Sequence, residues 1–245
     1  MVAMGWEEEA ENWVRWARAP GHDGYWYYRG RFFDSILPPA GSGTLEVGCG
    51  EGRVARDLRD RGHRVTALDA SRGLVRAALE ADPGGRYLAA DAAALPFSDA
   101  SFDVVVAYNS LMDVDDMPGA VREAARVLQP YGRFCVCVTH PISDAGRFGA
   151  PEPDAPFLIE DTYLGARRVF KGFEERDGLR MTFRGWSYSL ESYASALEEA
   201  GFVIERLREP AASERSIARF GTSEMRWRRI PQFLHIRARR ADVAY

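Results

Sequence analysis

Residues Leu45-Glu46-Val47-Gly48-Cys49-Gly50-Glu51-Gly52-Arg53 place three glycines at alternate positions, after a short apolar run and before a helix-forming stretch. Gly48, Gly50 and Gly52 let the backbone take φ > 0 and approach a ligand closely. N–H groups at the start of the helix point at that ligand. The spacing is G-x-G-x-G, not the G-x-G-x-x-G of dinucleotide sites. Two carboxylates extend the pattern. Asp69 ends a second apolar run, where an acid accepts from both hydroxyls of a ribose. Asp91 ends a third, where an acid accepts from the exocyclic amine of adenine, and Ala92 and Leu95-Pro96-Phe97 follow it. Arg53 is the one basic residue placed to answer a pyrophosphate. The set suits a nucleoside held without one.

Such residues need a scaffold that ends several strands at one edge. Residues 44–47 read as a strand and 52–61 as a helix that buries Val54, Ala55 and Leu58 and stops at Gly62. Strand 64–68, helix 71–81 with Ser71 as N-cap, and strand 87–90 come next. Strand 102–107 is apolar throughout Val104-Val105-Val106, as a strand covered on both faces should be. Helix 118–128 and strand 134–138 complete an alternation that predicts an α/β fold with a doubly wound parallel sheet. From 140 to 188 the alternation fails, and 169–186 predicts a hairpin turning at Asp177-Gly178. Helix 190–200 and strands 202–207 and 232–238 close the pattern. At the front, 7–17 and 24–37 read as helices broken at Pro20-Gly21. The division expected is a helical cap over residues 1–40 and one domain over 41–245, with an insertion at about 141–188 lying as a lid over the carboxyl edge of the sheet.

Hydrophobic residues make up 46% of the 245, enough for a sizeable core. The formal net charge of -4 offers no global basic field to nucleic acid or membrane. Arg226, Arg228, Arg229, Arg237, Arg239 and Arg240 read as a solvated surface. Cys49, Cys135 and Cys137 imply no disulfide framework. Cys135 and Cys137 share one strand face without a second ligand pair, so no metal is expected. With no signal peptide or long apolar span, the expectation is a cytoplasmic protein, monomer or homodimer, with no nucleic-acid or membrane partner.

The motifs resemble those of class I S-adenosylmethionine-dependent methyltransferases. Glu46 to Gly52 is similar to their first motif, Ala67-Leu68-Asp69-Ala70-Ser71 to the acidic second, and Asp91 to Phe97 to the third. Residues 102–107 and 125–133 resemble the fourth and fifth, and the likeness spans 44 to 140. The ubiquinone/menaquinone-biosynthesis branch is the nearest in pattern. The resemblance implies a Rossmann-like seven-stranded sheet with an antiparallel last strand and S-adenosyl-L-methionine as cofactor. It also lends cofactor-binding roles to Glu46, Gly48, Gly50, Gly52, Asp69, Ala70, Asp91, Ala92 and Tyr108. Two departures stand out. A His pair often found in the branch near Met112-Asp113 is absent, so no histidine base carries over there. The usual Pro-Gly-Gly turn reads Pro130-Tyr131-Gly132, and a tyrosine disfavours φ > 0, which predicts a type I turn.

A methyl acceptor belongs beyond the fourth and fifth strands, at the carboxyl edge. Tyr25, Trp26, Asn109, Trp186 and Tyr188 are the expected acceptor contacts, and Tyr28, Asp113 and His140 the expected catalytic bases. The 25–28 run reads equally as helix packing on the sheet, and His140 as a structural strand-end histidine. The aromatic N-terminal region is similar to that of actinobacterial secondary-metabolism methyltransferases, including enzymes that methylate indole carbon-3. A flat, small aromatic acceptor such as an indole, methylated on carbon, is therefore favoured. The alternatives are N- or O-methylation of another small metabolite or a quinol, an NAD-dependent oxidoreductase, and an RNA methyltransferase. The last lacks its Asn/Asp-Pro-Pro-aromatic motif, since the chain reads Asn109-Ser110-Leu111-Met112.

Overall fold

Apolar runs bounded by glycine and acid become strands, and the amphipathic stretches between them become helices. The computed structural model describes residues 5–160, 162–164 and 168–241. Two helices come first, α1 (Ala10–Arg18) and α2 (Tyr25–Ser35). Alternation then sets in with β1 (Thr44–Val47), α3 (Arg53–Asp60), β2 (Val65–Asp69), α4 (Arg72–Ala81) and β3 (Arg86–Ala89). It continues through β4 (Phe102–Tyr108), α5 (Met117–Val127) and β5 (Leu128–Thr139). A short α6 (Pro141–Asp144) and strands β6 (Gly146–Phe148) and β7 (Phe157–Ile159) lead to a hairpin of β8 (Arg168–Arg176) and β9 (Leu179–Ser187). The hairpin turns where expected, with Asp177 at φ 51 and Gly178 at φ 75, the pair of left-handed residues that a two-residue hairpin of primed type requires. α7 (Leu190–Glu199), β10 (Phe202–Arg208), α8 (Glu214–Phe220) and β11 (Phe233–Arg240) follow.

Seven strands form one sheet in the order β10-β11-β5-β4-β1-β2-β3. β1 to β5 run parallel, and β11 pairs antiparallel with both β5 and β10. The fold is the expected Rossmann-like sheet with its last strand reversed.

Strand alternation sends side chains to two cores. Val105 and Ala107 face one, covered by Met117, Ala120, Val121 and Ala124 of α5 and Tyr193, Ala196 and Leu197 of α7. Val104, Val106 and Tyr108 face the other, covered by α2 and α3. Here one expectation is corrected. Tyr25, Tyr28 and Phe32 recur at helical spacing and all point at the sheet, where they are 3%, 2% and 0% exposed. The sheet-facing aromatics of α2 are core and do not line an acceptor site. The Pro130-Tyr131-Gly132 turn also differs from expectation, because Tyr131 takes φ 63. The register explains it: Leu128 pairs Phe102, Arg133 pairs Val104, and the residues between must loop out. The late arginines are mostly occupied rather than merely solvated. Arg226 donates to the Ala150 carbonyl, Arg229 to that of Ala155, and Arg237 and Arg239 pair with Glu205.

His235 lies at 0% exposure beside Phe32, and neither ring nitrogen has a hydrogen-bond partner. Burial pushes its pKa down to about 4. A base that folding holds neutral costs stability as pH falls from its ordinary value of about 6.5 toward the folded value. His235→Leu is expected to be at least as stable as the parent at pH 7 and to gain about 2 kcal/mol on it by pH 5. Denaturant midpoints at the two pH values check this; parallel losses in both proteins would contradict it.

Candidate functional site

The carboxyl ends of β1, β2 and β4 converge on a cavity of about 490 Å³. Its floor is the glycine loop, and each glycine is needed for a different reason. Gly48 has φ 72, and a Cβ there would sit 2.3 Å from that of Ser110, whose hydroxyl donates to the Val47 carbonyl. Gly50 has φ 56, and its Cβ would meet the Trp13 indole nitrogen at 2.9 Å. Gly52 has φ 85, caps α3 and packs against Ala78 and Tyr87; it does not line the cavity.

Asp69 at the end of β2 is anchored by both oxygens. Oδ2 accepts the Gly50 N–H at 2.8 Å and Oδ1 accepts the Ser71 N–H at 2.9 Å. Burial raises its pKa and these two donors oppose that. Each oxygen keeps lone-pair capacity for a ligand. Glu46, on β1, is 1% exposed and lines the same cavity, yet its Oε2 has no hydrogen-bond partner. Burial and then Asp69 hold this carboxyl well above the usual range. Asp91 is exposed and accepts the Ala93 N–H at 2.9 Å, next to the buried Ala92; Ala70 also lines the wall.

Trp6 and Trp13 form the roof, edge to face with ring centroids 5.5 Å apart. Phe183 of β9 meets Trp13 at 6.3 Å and Trp16 at 5.6 Å, so the hairpin braces α1. Glu7 clamps the segment to the start of α4, accepting from the Ser71 hydroxyl at 2.6 Å and the Gly73 N–H at 3.1 Å.

Residues 45–136 match the family described as methyltransferase domain. A demethylmenaquinone methyltransferase of Beutenbergia cavernae is 32% identical over 74% of this chain and 73% of its own length. A malonyl-[acyl-carrier protein] O-methyltransferase of Pseudescherichia vulneris is 30% identical over 73% and 68%. The crystal structure of an S-adenosylmethionine-dependent methyltransferase from Mesorhizobium loti superposes with a TM-score of 0.70 at 26% identity, covering 89% of this chain and 98% of that one. The chain belongs to the class I S-adenosylmethionine-dependent methyltransferases.

At the other end of the methyltransferase cavity stand Tyr108, Asn109 and Asp113. Tyr108 is 6% exposed and wedged between the rings of Tyr25 and Phe32, and burial pushes its hydroxyl up. Asn109 has φ 51, and its side-chain oxygen accepts from the Cys137 thiol at 3.2 Å. Asp113 ends a 3₁₀ turn (Leu111–Asp113). Burial and then the Asp69 charge drive its pKa well above the usual range, opposed by the Trp6 indole beside it. Gly185 of β9 passes so close that a Cβ would lie 2.9 Å from Asp113 Oδ1.

The other expected site residues of the methyltransferase do not line this cavity. Tyr28 packs on Phe233 and turns its hydroxyl to Glu224 at 3.5 Å. His140 accepts the Ile142 N–H at Nδ1, which places its proton on Nε2, facing Glu209 at 2.9 Å. Tyr25 donates to Asp57, Trp26 lies under Arg29, and Tyr188 packs against Tyr193. Trp186 acts one layer back, donating to Asp115 at 3.0 Å. The residues that sequence reasoning missed are Trp6, Trp13 and Glu7. Their signal was a seven-residue Trp spacing, two helical turns along one face.

Proposed function

We propose that this methyltransferase acts on a small aromatic acceptor, an indole favoured, with transfer to ring carbon. The observation that carries the reading is Trp6 beside Asp113 in the cavity lining, with Trp13 edge to face against it and reaching Gly50. S-adenosylmethionine supplies an electrophilic methyl group on a sulfonium. Glu46, buried with an unpartnered oxygen, would answer the cofactor's ammonium; Asp69 would hold the ribose, and Asp91 with Ala92 the adenine. The Gly48–Gly50 backbone would pass the methionine part. Tyr108 and Asn109 would border the reacting methyl.

At about 490 Å³ the cavity lies in the lower half of the usual range for a single ligand, yet it must take the cofactor and the reacting end of the acceptor. A compact, flat group suits it. For carbon methylation the electron-rich ring is itself the nucleophile, so stacking and alignment supply much of the rate. Asp113 would accept the ring N–H proton. The Beutenbergia relative supports a second reading, a quinol ring methylated on carbon.

Labelled cofactor offered to indoles, phenols, quinols and simple aliphatic amines, with products read by mass spectrometry, separates these. Indole products labelled on carbon are expected. Product from quinols or aliphatic amines alone would remove the indole reading and leave the methyltransferase assignment standing.

A further inference from the structure

β9 touches two walls of the cavity through alternate residues, which share one face of a strand. Phe183 meets Trp13 edge to face at 6.3 Å. Two residues on, the backbone of Gly185 lies against the turn that carries Asp113. A Cβ there would stand 2.9 Å from Asp113 Oδ1 and 3.1 Å from the Met112 carbonyl oxygen. Trp186, next in the chain, ties β9 to the same segment by donating to Asp115 at 3.0 Å. Gly185 is buried inside β9 and pairs with β8. Its φ lies outside the left-handed region, so conformation does not demand a glycine. Glycine weakens the interior of a strand, and where it stands there it marks a close approach by another group. Here that group is the Asp113 carboxyl.

We infer that Gly185 is a positioning residue for the transfer: it seats the Asp113 carboxyl against β9, and a side chain at 185 drives that carboxyl into the space of the acceptor. This rests on the reading of Asp113 as the base at the acceptor end. Of the two groups a Cβ would meet, the Met112 carbonyl is backbone, and the Asp113 carboxyl is the end of a side chain. The side chain gives way first. Swinging off β9 carries it toward the cavity that it lines. Water then reaches it, and the part of its raised pKa that comes from burial is relieved. Asp69 of β2 and Asp144 of α6 are the charged groups that act on it, and both oppose its ionisation. The glycine loop and Asp69 are not among the groups that a Cβ at 185 would meet, so the cofactor's place is left alone.

The test compares Gly185→Ala with the parent in three measurements. Carboxyl carbon-13 NMR follows the titration of Asp113 in the unliganded protein, its signal assigned by its loss in Asp113→Asn. The midpoint is expected to fall by about one pH unit or more in Gly185→Ala. Calorimetry should find affinity for the demethylated cofactor within a few-fold of the parent. With indole as acceptor, kcat/KM should fall roughly a hundredfold, most of it in KM, because the displaced carboxyl takes space that the ring needs. A midpoint that does not fall would overturn the inference and leave the acceptor reading standing. A lower midpoint in a protein whose parent methylates no indole would support the seat and overturn the acceptor reading. Cofactor affinity that falls as far as kcat/KM would overturn the inference, since the whole site would then have loosened. Should Gly185→Ala fail to fold, the double variant with Asp113→Ala decides: it lacks the displaced carboxyl, so a folded protein supports the inference and a second failure overturns it.

Discussion

Gly50→Val is expected to yield a folded protein whose affinity for S-adenosylmethionine and its demethylated product falls by about a hundredfold or more, roughly 3 kcal/mol. Two effects combine. Gly50 sits at φ 56, a region that costs a β-branched residue roughly 1–2 kcal/mol or more. Its new Cβ would also start 2.9 Å from the Trp13 nitrogen, so the roof must lift or the loop must shift. Either movement disturbs the Gly50 N–H that holds Asp69 at 2.8 Å. Gly50 itself belongs to neither core cluster, although its neighbour Cys49 packs in one, so the fold should survive. Calorimetry and circular dichroism together decide it. A native spectrum with affinity within a few-fold of the parent would show that this loop does not hold the cofactor.

Asp113→Asn is expected to lower turnover roughly a hundredfold or more, with affinity for the demethylated cofactor within a few-fold. The raised pKa of Asp113 sets the sign of the pH dependence. A base whose pKa lies above the usual carboxylate range becomes competent only above that raised value, so kcat/KM of the parent should climb with pH through it. The variant should lack that limb. Stability runs the other way. Folding favours the protonated acid, so the parent loses stability as pH rises from the ordinary value of about 3.9 through the raised one. The unliganded variant should therefore be at least as stable near pH 7. Tyr28→Phe, by contrast, should stay within a few-fold of parent turnover, because that hydroxyl faces Glu224. A tyrosine effect larger than the aspartate effect would relocate the chemistry toward α2.

The glycine-loop end of the cavity was legible because its residues lie in short contiguous stretches at strand ends. Glu46 to Gly52, Asp69 and Asp91 need only the alternation of strand and helix to bring them together. The Asp177-Gly178 turn was legible for the same local reason. The other end was legible only in part: Tyr108, Asn109 and Asp113 were named and line it, but long-range contacts supply the rest. Trp6 and Trp13 reach the cavity only after α1 folds back and Glu7 grips Ser71, 64 residues on. The 25–28 aromatics were read from composition as well as spacing, and the spacing was the better guide: 25, 28 and 32 form one sheet-facing row. α8 escaped notice because its capping box uses Ser216 where Glu or Gln is the usual sign. The left-handed Tyr131 was hidden because it answers a register offset between β4 and β5, which no local preference encodes.

The roof also gives the molecule an optical character. Of the six tryptophans, Trp6 and Trp13 line the cavity; Trp16, Trp26, Trp186 and Trp227 do not. The two sit edge to face, one beside the Asp113 carboxyl, whose pKa is raised, and the other under the Arg53 guanidinium. A purine and a sulfonium arriving beneath them replace water with a polarisable base and a cation. Emission from this pair should therefore shift on occupancy while the other four stay dark to it, and the protein carries an intrinsic reporter of its own filling.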